Sequence, residues 1–260
     1  MFNPDKKTTN PVFNQIRHYF GFVPPVFVAV KADHDLLHAL WQQTRAMYIN
    51  NPLPPVLKEK FFLYISYSCD MPYDLRSHCI MLKKYGVSES EIVALLQTPL
   101  PTAQQIDQHV QQLRAIPETL DNWPKNDKSL ELMFFACIVH LFLYHTHASA
   151  GCRKELQRLL GKRYMFLVAL FNYIHTCHRW IGANPEIYKE KDKQIINSFD
   201  TAFGDATRLH TVINEQFERA HRQHQLTEQD LHTRVRPSGL RCQKQSKSEL
   251  IWGIEQPALW

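Results

Sequence analysis

Four side chains in one short stretch have the types and spacing for proton or thiol chemistry: Glu59, Cys69, Asp74 and His78. Asp74 and His78 are four residues apart, so on a helix opening at Pro72 they share a face. Their pairing would raise the basicity of the imidazole and fix its tautomer, as an acid/base site requires. An aspartate in a first helical turn is also stabilised by the exposed amides and the helix dipole without any partner, so Asp74 carries both readings. Glu59 lies in the apolar run Val56 to Tyr67, flanked by Lys58 and Lys60. A carboxylate there is either at an exposed edge or buried against a partner. Cys69 closes the same run and is a candidate nucleophile or a packing thiol, whereas Cys79 points about 100° away from His78 on a helix and reads as packing.

Proline and glycine fix the elements that would position these residues. The chain has only 8 glycines and 15 prolines, most of them at segment joints, and little that alternates like a strand, which predicts an all-α protein. Pro11 to Phe20 reads as a helix closed by Gly21, Pro24-Pro25 opens the next, and Asp33 caps a long helix to about Tyr48. Asn50 to Pro55 is a loop. Val56 to Cys69 is an apolar helix whose partner starts at Pro72 and stops at Gly86. Ser88 and Glu91 form a capping box for a helix through Leu96. Gln104 to Ile116 is a polar helix and Pro117 to Lys128 a linker. Leu130 to Ala148, Arg153 to Leu160 and Lys162 to Ile181 make a second helical unit. From Glu186 a charged connector helix is expected to about His224 or residue 225, followed by a basic tail over 226–260 that lacks the apolar content to fold.

Gly86 followed six residues on by Val93-Ala94-Leu95-Leu96 matches Gly161 followed by Val168-Ala169-Leu170-Phe171, a weak internal repeat. Five histidines in the second half, His140, His145, His147, His175 and His178, raise a metal reading. With no HExxH and few acids nearby, packing or interface histidines are the competing reading, and no metal is assigned.

At 260 residues the chain accommodates one large core or two small domains, and 44% hydrophobic with 12% aromatic content is that of a globular protein. Net charge is +5, with Arg234, Arg236, Arg241, Lys244 and Lys247 gathered in a stretch free of acids. No nucleic-acid motif accompanies that cluster, so no nucleic acid is expected as a partner. The longest apolar run, Leu132 to Leu143, is too short to span a bilayer, and no membrane association is expected. Six cysteines without CxxC spacing, and no charged n-region before an apolar h-region, suit a reducing, cytoplasmic setting. No cofactor motif is present.

The segment Glu59 to Gly86 resembles the core helix pair of the carboxymuconolactone decarboxylase and alkylhydroperoxidase D families. Their peroxidase branch carries a Glu and, twelve residues later, Cys-x-x-Cys-x-x-x-His. Here Glu59 falls twelve residues before Met71, Tyr73-Asp74 stands where Tyr-Cys is usual, and His78 follows four residues on. Met71 and Asp74 therefore occupy the cysteine positions. A thioether forms no disulfide and a carboxylate does not attack a peroxide productively, so the usual thiol reaction is not expected. The resemblance covers about residues 12–185 and is specific only from Glu59 to Glu91. It implies an alkylhydroperoxidase D-like helical bundle with two related halves, 12–101 and 128–185, and assembly into a homo-oligomer. It favours a buried Glu59 partnered by His78 or Tyr73.

Two functional expectations follow. The first is a ligand-binding, regulatory or scaffolding module with a degenerate redox site and a signalling partner. The second is a cysteine-independent, decarboxylase-like lyase using Glu59, Asp74 and His78, with Arg76 considered for a substrate carboxylate; Arg76 lies nearly opposite His78 on the helix and reads more simply as a surface charge. An atypical peroxidase using Cys69 is the remaining variant. A closed polar pocket holding Glu59 and His78 together is expected of an enzyme, and an apolar pocket with a large helix interface of a module.

Overall fold

The computed structural model describes residues 10–124, 127–143, 147–204 and 208–218, without the side chains of 147–149 and 188–192. The described residues are helical, with no strand among them. In chain order they form α1 (Pro11–Phe20), α2 (Pro25–Ala29), α3 (His34–Thr44), α4 (Pro55–Ser68), α5 (Pro72–Lys84), α6 (Glu89–Gln97), α7 (Ala103–Arg114), α8 (Lys128–Leu143), α9 (His147–Leu160), α10 (Tyr164–Ala183) and α11 (Pro185–Phe203). The chain is helical again over 208–218.

Local chemistry sets most boundaries. The Asn10 side chain accepts from Val12 N–H and Gly21, at φ 79, closes α1. Asp33 accepts from Leu36 N–H to start α3, and Ser88 with Glu91 forms the capping box of α6. The turn between α4 and α5 matters most for the site. Asp70 takes φ 54, and Met71 N–H reaches back to Ser66 C=O at 2.9 Å. This is the six-to-one bond of a Schellman closure, with aspartate, one of the side chains that tolerates the left-handed region, where glycine is usual. Pro72 then enters α5 at its first turn, where a missing N–H costs nothing.

Helix α4 is buried on nearly every side: Leu57, Phe61, Phe62, Leu63, Tyr64 and Ile65 are each at most 3% exposed. A helix apolar all round must be a central one. It packs against α5, α6 and α10, and its Phe61 stacks on Phe135 of α8 with ring centroids 4.7 Å apart. Around it runs the main core, built from α7, α8, α9 and α10 residues such as Ile106, Phe134, Leu156 and Phe171. A smaller core joins α1, α2 and α3 through Ile16, Phe27, Leu37 and Trp41, the last donating its indole N–H to Gln15 at 2.8 Å.

Two expectations are corrected. Helix α9 begins at His147, not Arg153, because Gly151 is a packing glycine and not a breaker: a Cβ there would meet Val110 of α7 at 3.2 Å. The charged helix after Pro185 ends at Phe203, with Gly204 at φ 84, and does not run unbroken to His224. Helix α11 packs on α5 and α2, with Ile187 and Ile195 against Tyr73 and Ile181, so its apolar stripe is used rather than left as a free connector. The compact unit extends to Asn214. The basic tail, 226–260, lies outside the described residues, as does His145. The repeat survives locally: Gly86 and Gly161 both take positive φ, 82 and 53, before the helices that carry the matching apolar blocks.

Candidate functional site

Helices α4 and α5 bring Glu59 and His78 together. His78 Nδ1–H donates to Glu59 Oε2 at 2.6 Å, the only arrangement a proton-free carboxylate allows. Tyr48 O–H donates to the other carboxylate oxygen, Oε1, at 2.5 Å. Both oxygens of a residue 2% exposed are thus bonded, which is what burying a carboxylate requires. Tyr48 comes from a wide π-helical turn, Arg45–Ile49, that ends the helix begun by α3. Such turns displace one residue from the α register and recur at functional sites. Lys58 holds this turn in place: its buried ammonium donates to Tyr48 C=O at 2.6 Å and Asn51 C=O at 3.1 Å. Burial pushes the Lys58 amine down and the charge of Glu59 partly offsets that. The Tyr48 phenol is pushed well up, first by burial and then by the neighbouring carboxylate.

The His78 ring stacks on Phe62, with centroids 3.9 Å apart and planes 18° apart. Its side chain retains 12% exposure. With Nδ1 committed to Glu59, Nε2 is the ring atom a ligand can address. The large rings of Tyr19, Phe22 and Tyr85 are exposed, at 52%, 47% and 47%. Both phenols feel Glu59; the Tyr85 hydroxyl is pushed up by burial and by that carboxylate, and the Tyr19 hydroxyl by burial, Tyr85 and Glu59. An open cleft of about 570 Å³ lies elsewhere, at the start of α6, lined by residues including Ser88, Val93 and Arg208.

Asp74 does not hydrogen-bond His78. It is buried, and its Oδ2 lies 3.7 Å from His178 Nε2 on α10. The same Nε2 is 3.1 Å from Ser66 Oγ. Asp74 Oδ2 and His178 Nδ1 have no hydrogen-bond partner among the described residues. Burial therefore raises the Asp74 carboxyl to about 6, against a smaller opposing pull from His78. Burial also lowers His178 to about 3, helped by His175 and His78. The trio is no nucleophilic relay: serine and aspartate meet the same ring nitrogen, and Ser66 is fully buried. Asp74 does stand in the first turn of α5, and it is buried there rather than solvated.

The thiols near the site are poorly suited to attack. Burial, with a smaller push from Asp70, raises Cys69 to about 11, and burial raises Cys79 further despite Arg76. Either sulfur is a protonated thiol at neutral pH. Arg76 is half-buried. His175 and His178 rings meet edge-on, 6.4 Å apart, and the described residues contain no group of three or more His, Cys, Asp or Glu placed to hold a metal ion. No described helix is long and apolar enough to cross a membrane. Of the residues the sequence singled out, Glu59 and His78 come together, Asp74 lies beside them in a second pair, and Cys69 stays outside. Tyr48, Phe62, Ser66 and His178 complete the arrangement and carried no local signal as partners.

Compared with known proteins, the chain matches no family model, no curated protein and no solved structure.

Proposed function

We propose that this chain is a carboxymuconolactone-decarboxylase-like helical module that binds a small ligand at His78 and has no thiol peroxidase chemistry. The observation that carries the reading is the retained Glu59–His78 bond at 2.6 Å in the absence of a reactive thiol beside it. The carboxylate fixes the imidazole tautomer, Tyr48 and Phe62 fix carboxylate and ring, and Nε2 is left as the hydrogen-bonding atom. Exposed Tyr19 and Tyr85, whose hydroxyls both feel the Glu59 charge, supply ring surface for a flat ligand with one polar group, the composition usual in small-molecule sites. A homo-oligomer, a cytoplasmic setting and a signalling partner belong to the same proposal by resemblance.

The second reading is an acid/base lyase, favoured specifically by the carboxylate–imidazole dyad, in which His78 Nε2 would move the proton and Glu59 would hold the ring. Asp74 is less suited to a direct role there because its carboxyl is enclosed beside His178. Reductant-coupled consumption of hydrogen peroxide and cumene hydroperoxide by the wild type, Cys69→Ser and His78→Ala tests the leading reading. No turnover is expected in any of them; turnover lost in Cys69→Ser would overturn it. Carbon dioxide release from a carboxylated five-membered lactone, lost in His78→Ala, would select the lyase instead.

A further inference from the structure

On the exposed face of α3, away from Glu59 and His78, two imidazoles stand one helical turn apart. His34 and His38 are both exposed and, four residues apart, share a face of an 11-residue helix. Their rings lie near parallel, with 12° between planes and centroids 6.4 Å apart. Asp35 Oδ1 is 3.7 Å from His34 Nδ1, which draws the proton of the neutral ring to Nδ1 and leaves Nε2 with its lone pair. His38 Nε2 meets the Gln42 side-chain amide at 3.4 Å, one turn further along the same stripe. His175 and His178 on α10 also have centroids 6.4 Å apart, but their planes are at 89°, and His178 is buried with its Nε2 on Ser66.

We propose that His34 and His38 form a two-imidazole surface site for a divalent transition-metal ion of the zinc, nickel and copper class. An ion held about 2.0–2.1 Å from one nitrogen of each ring sets the ring centres roughly 5–6 Å apart, so a small side-chain rotation brings the pair into reach. Helix α3 is capped at Asp33 and packed through Leu37, Leu40 and Trp41, so the backbone that carries both ligands is already ordered. Two nitrogen donors leave the remaining positions to water. The site is therefore open and exchangeable, unlike the three-ligand centres that the described residues lack. Imidazole donors favour copper over nickel and zinc and do not select magnesium or calcium, which take oxygen ligands. The positive end of the helix opposes a bound cation, and the Asp33 and Asp35 carboxylates beside it offset that.

Zinc chloride titrated into the full-length protein at neutral pH tests this, followed by long-range imidazole nitrogen–proton NMR with His34→Gln and His38→Gln for assignment. Each ring is read separately, so zinc taken up by other histidines does not enter the readout. His34 and His38 are expected to shift together along one saturating curve, copper to broaden the same two rings at lower concentration, and magnesium to move neither. In His34→Gln the His38 response is expected to need at least about tenfold more zinc, since the second bond of a chelate forms at a high effective concentration. Both side chains are exposed, so the variants are expected to keep the wild-type amide spectrum elsewhere. Separate curves for the two rings, an unchanged His38 response in His34→Gln, or no shift of either ring with zinc would overturn the proposal.

Discussion

Two carboxylate–histidine pairs meet the Phe62 ring through their histidines, and they show how little residue type alone decides. Glu59 and His78 are 2.6 Å apart with Tyr48 on the remaining oxygen; Asp74 and His178 are 3.7 Å apart with polar atoms left unpartnered. The Phe62 ring lies flat on His78 and edge-on to His178, at 3.9 Å and 6.5 Å between centroids. One pair is satisfied and retains a window to solvent. The other is buried beside Ser66, and both of its members are pushed toward their neutral forms. A fixed tautomer with an accessible second nitrogen suits function, whereas a neutral buried pair suits packing.

The sharpest way to break the comparison is to remove one carboxylate at a time. Glu59→Leu strands the Tyr48 hydroxyl and His78 Nδ1 in the core, and urea unfolding at pH 7 is expected to show a loss of about 3–5 kcal/mol. Asp74→Asn is expected to act in the opposite direction at pH 8, with a gain of roughly 1–3 kcal/mol, because a buried charge is removed. The sign follows from the raised carboxyl: the folded state holds the Asp74 proton up to about 6, so its penalty is absent at pH 3, grows from about pH 4 to 6 and is complete above that. A matching gain at pH 3 would contradict the shift. His178 works the other way. Its lowered imidazole stabilises the folded state only while neutral, so its contribution is present above about 6.5 and is lost as pH falls toward 3. His178→Gln should therefore flatten the acid limb of a stability profile measured by circular dichroism.

Smaller effects sharpen the same contrast. Tyr48→Phe removes one hydrogen bond to a buried carboxylate and is expected to cost about 1–3 kcal/mol by denaturant titration. Ser66→Ala, beside a histidine that is only loosely held, should cost no more than about 1 kcal/mol.

The α4–α5 pair was legible because its signals are local: an apolar run, a proline at a first turn and a glycine at a stop. Glu59 and His78 were legible as a pair through the spacing that resembles a known motif. Tyr48 was hidden because its placement depends on a π-helical turn, which the pattern of α3 does not announce. His178 was hidden for a different reason: it is 112 residues from Ser66, and only the packing of α10 on α4 joins them. Helical spacing offers His78 as one of two readings for Asp74, yet α10 supplies a neighbour, His178, that no spacing rule within α5 could reveal. Gly151 and Gly204 show the same limit in miniature, since one glycine packs a helix and the other ends one.

A histidine-by-histidine pH titration of the folded protein by long-range imidazole nitrogen–proton NMR, with His78→Gln and His178→Gln for assignment, tests the central contrast most directly. The account predicts that His178 stays neutral down to about pH 4 and that the His78 Nδ1 proton is seen bonded to Glu59, vanishing in Glu59→Leu. A His178 that titrates near the ordinary value of about 6.5, with no bonded His78 Nδ1 proton, would contradict it.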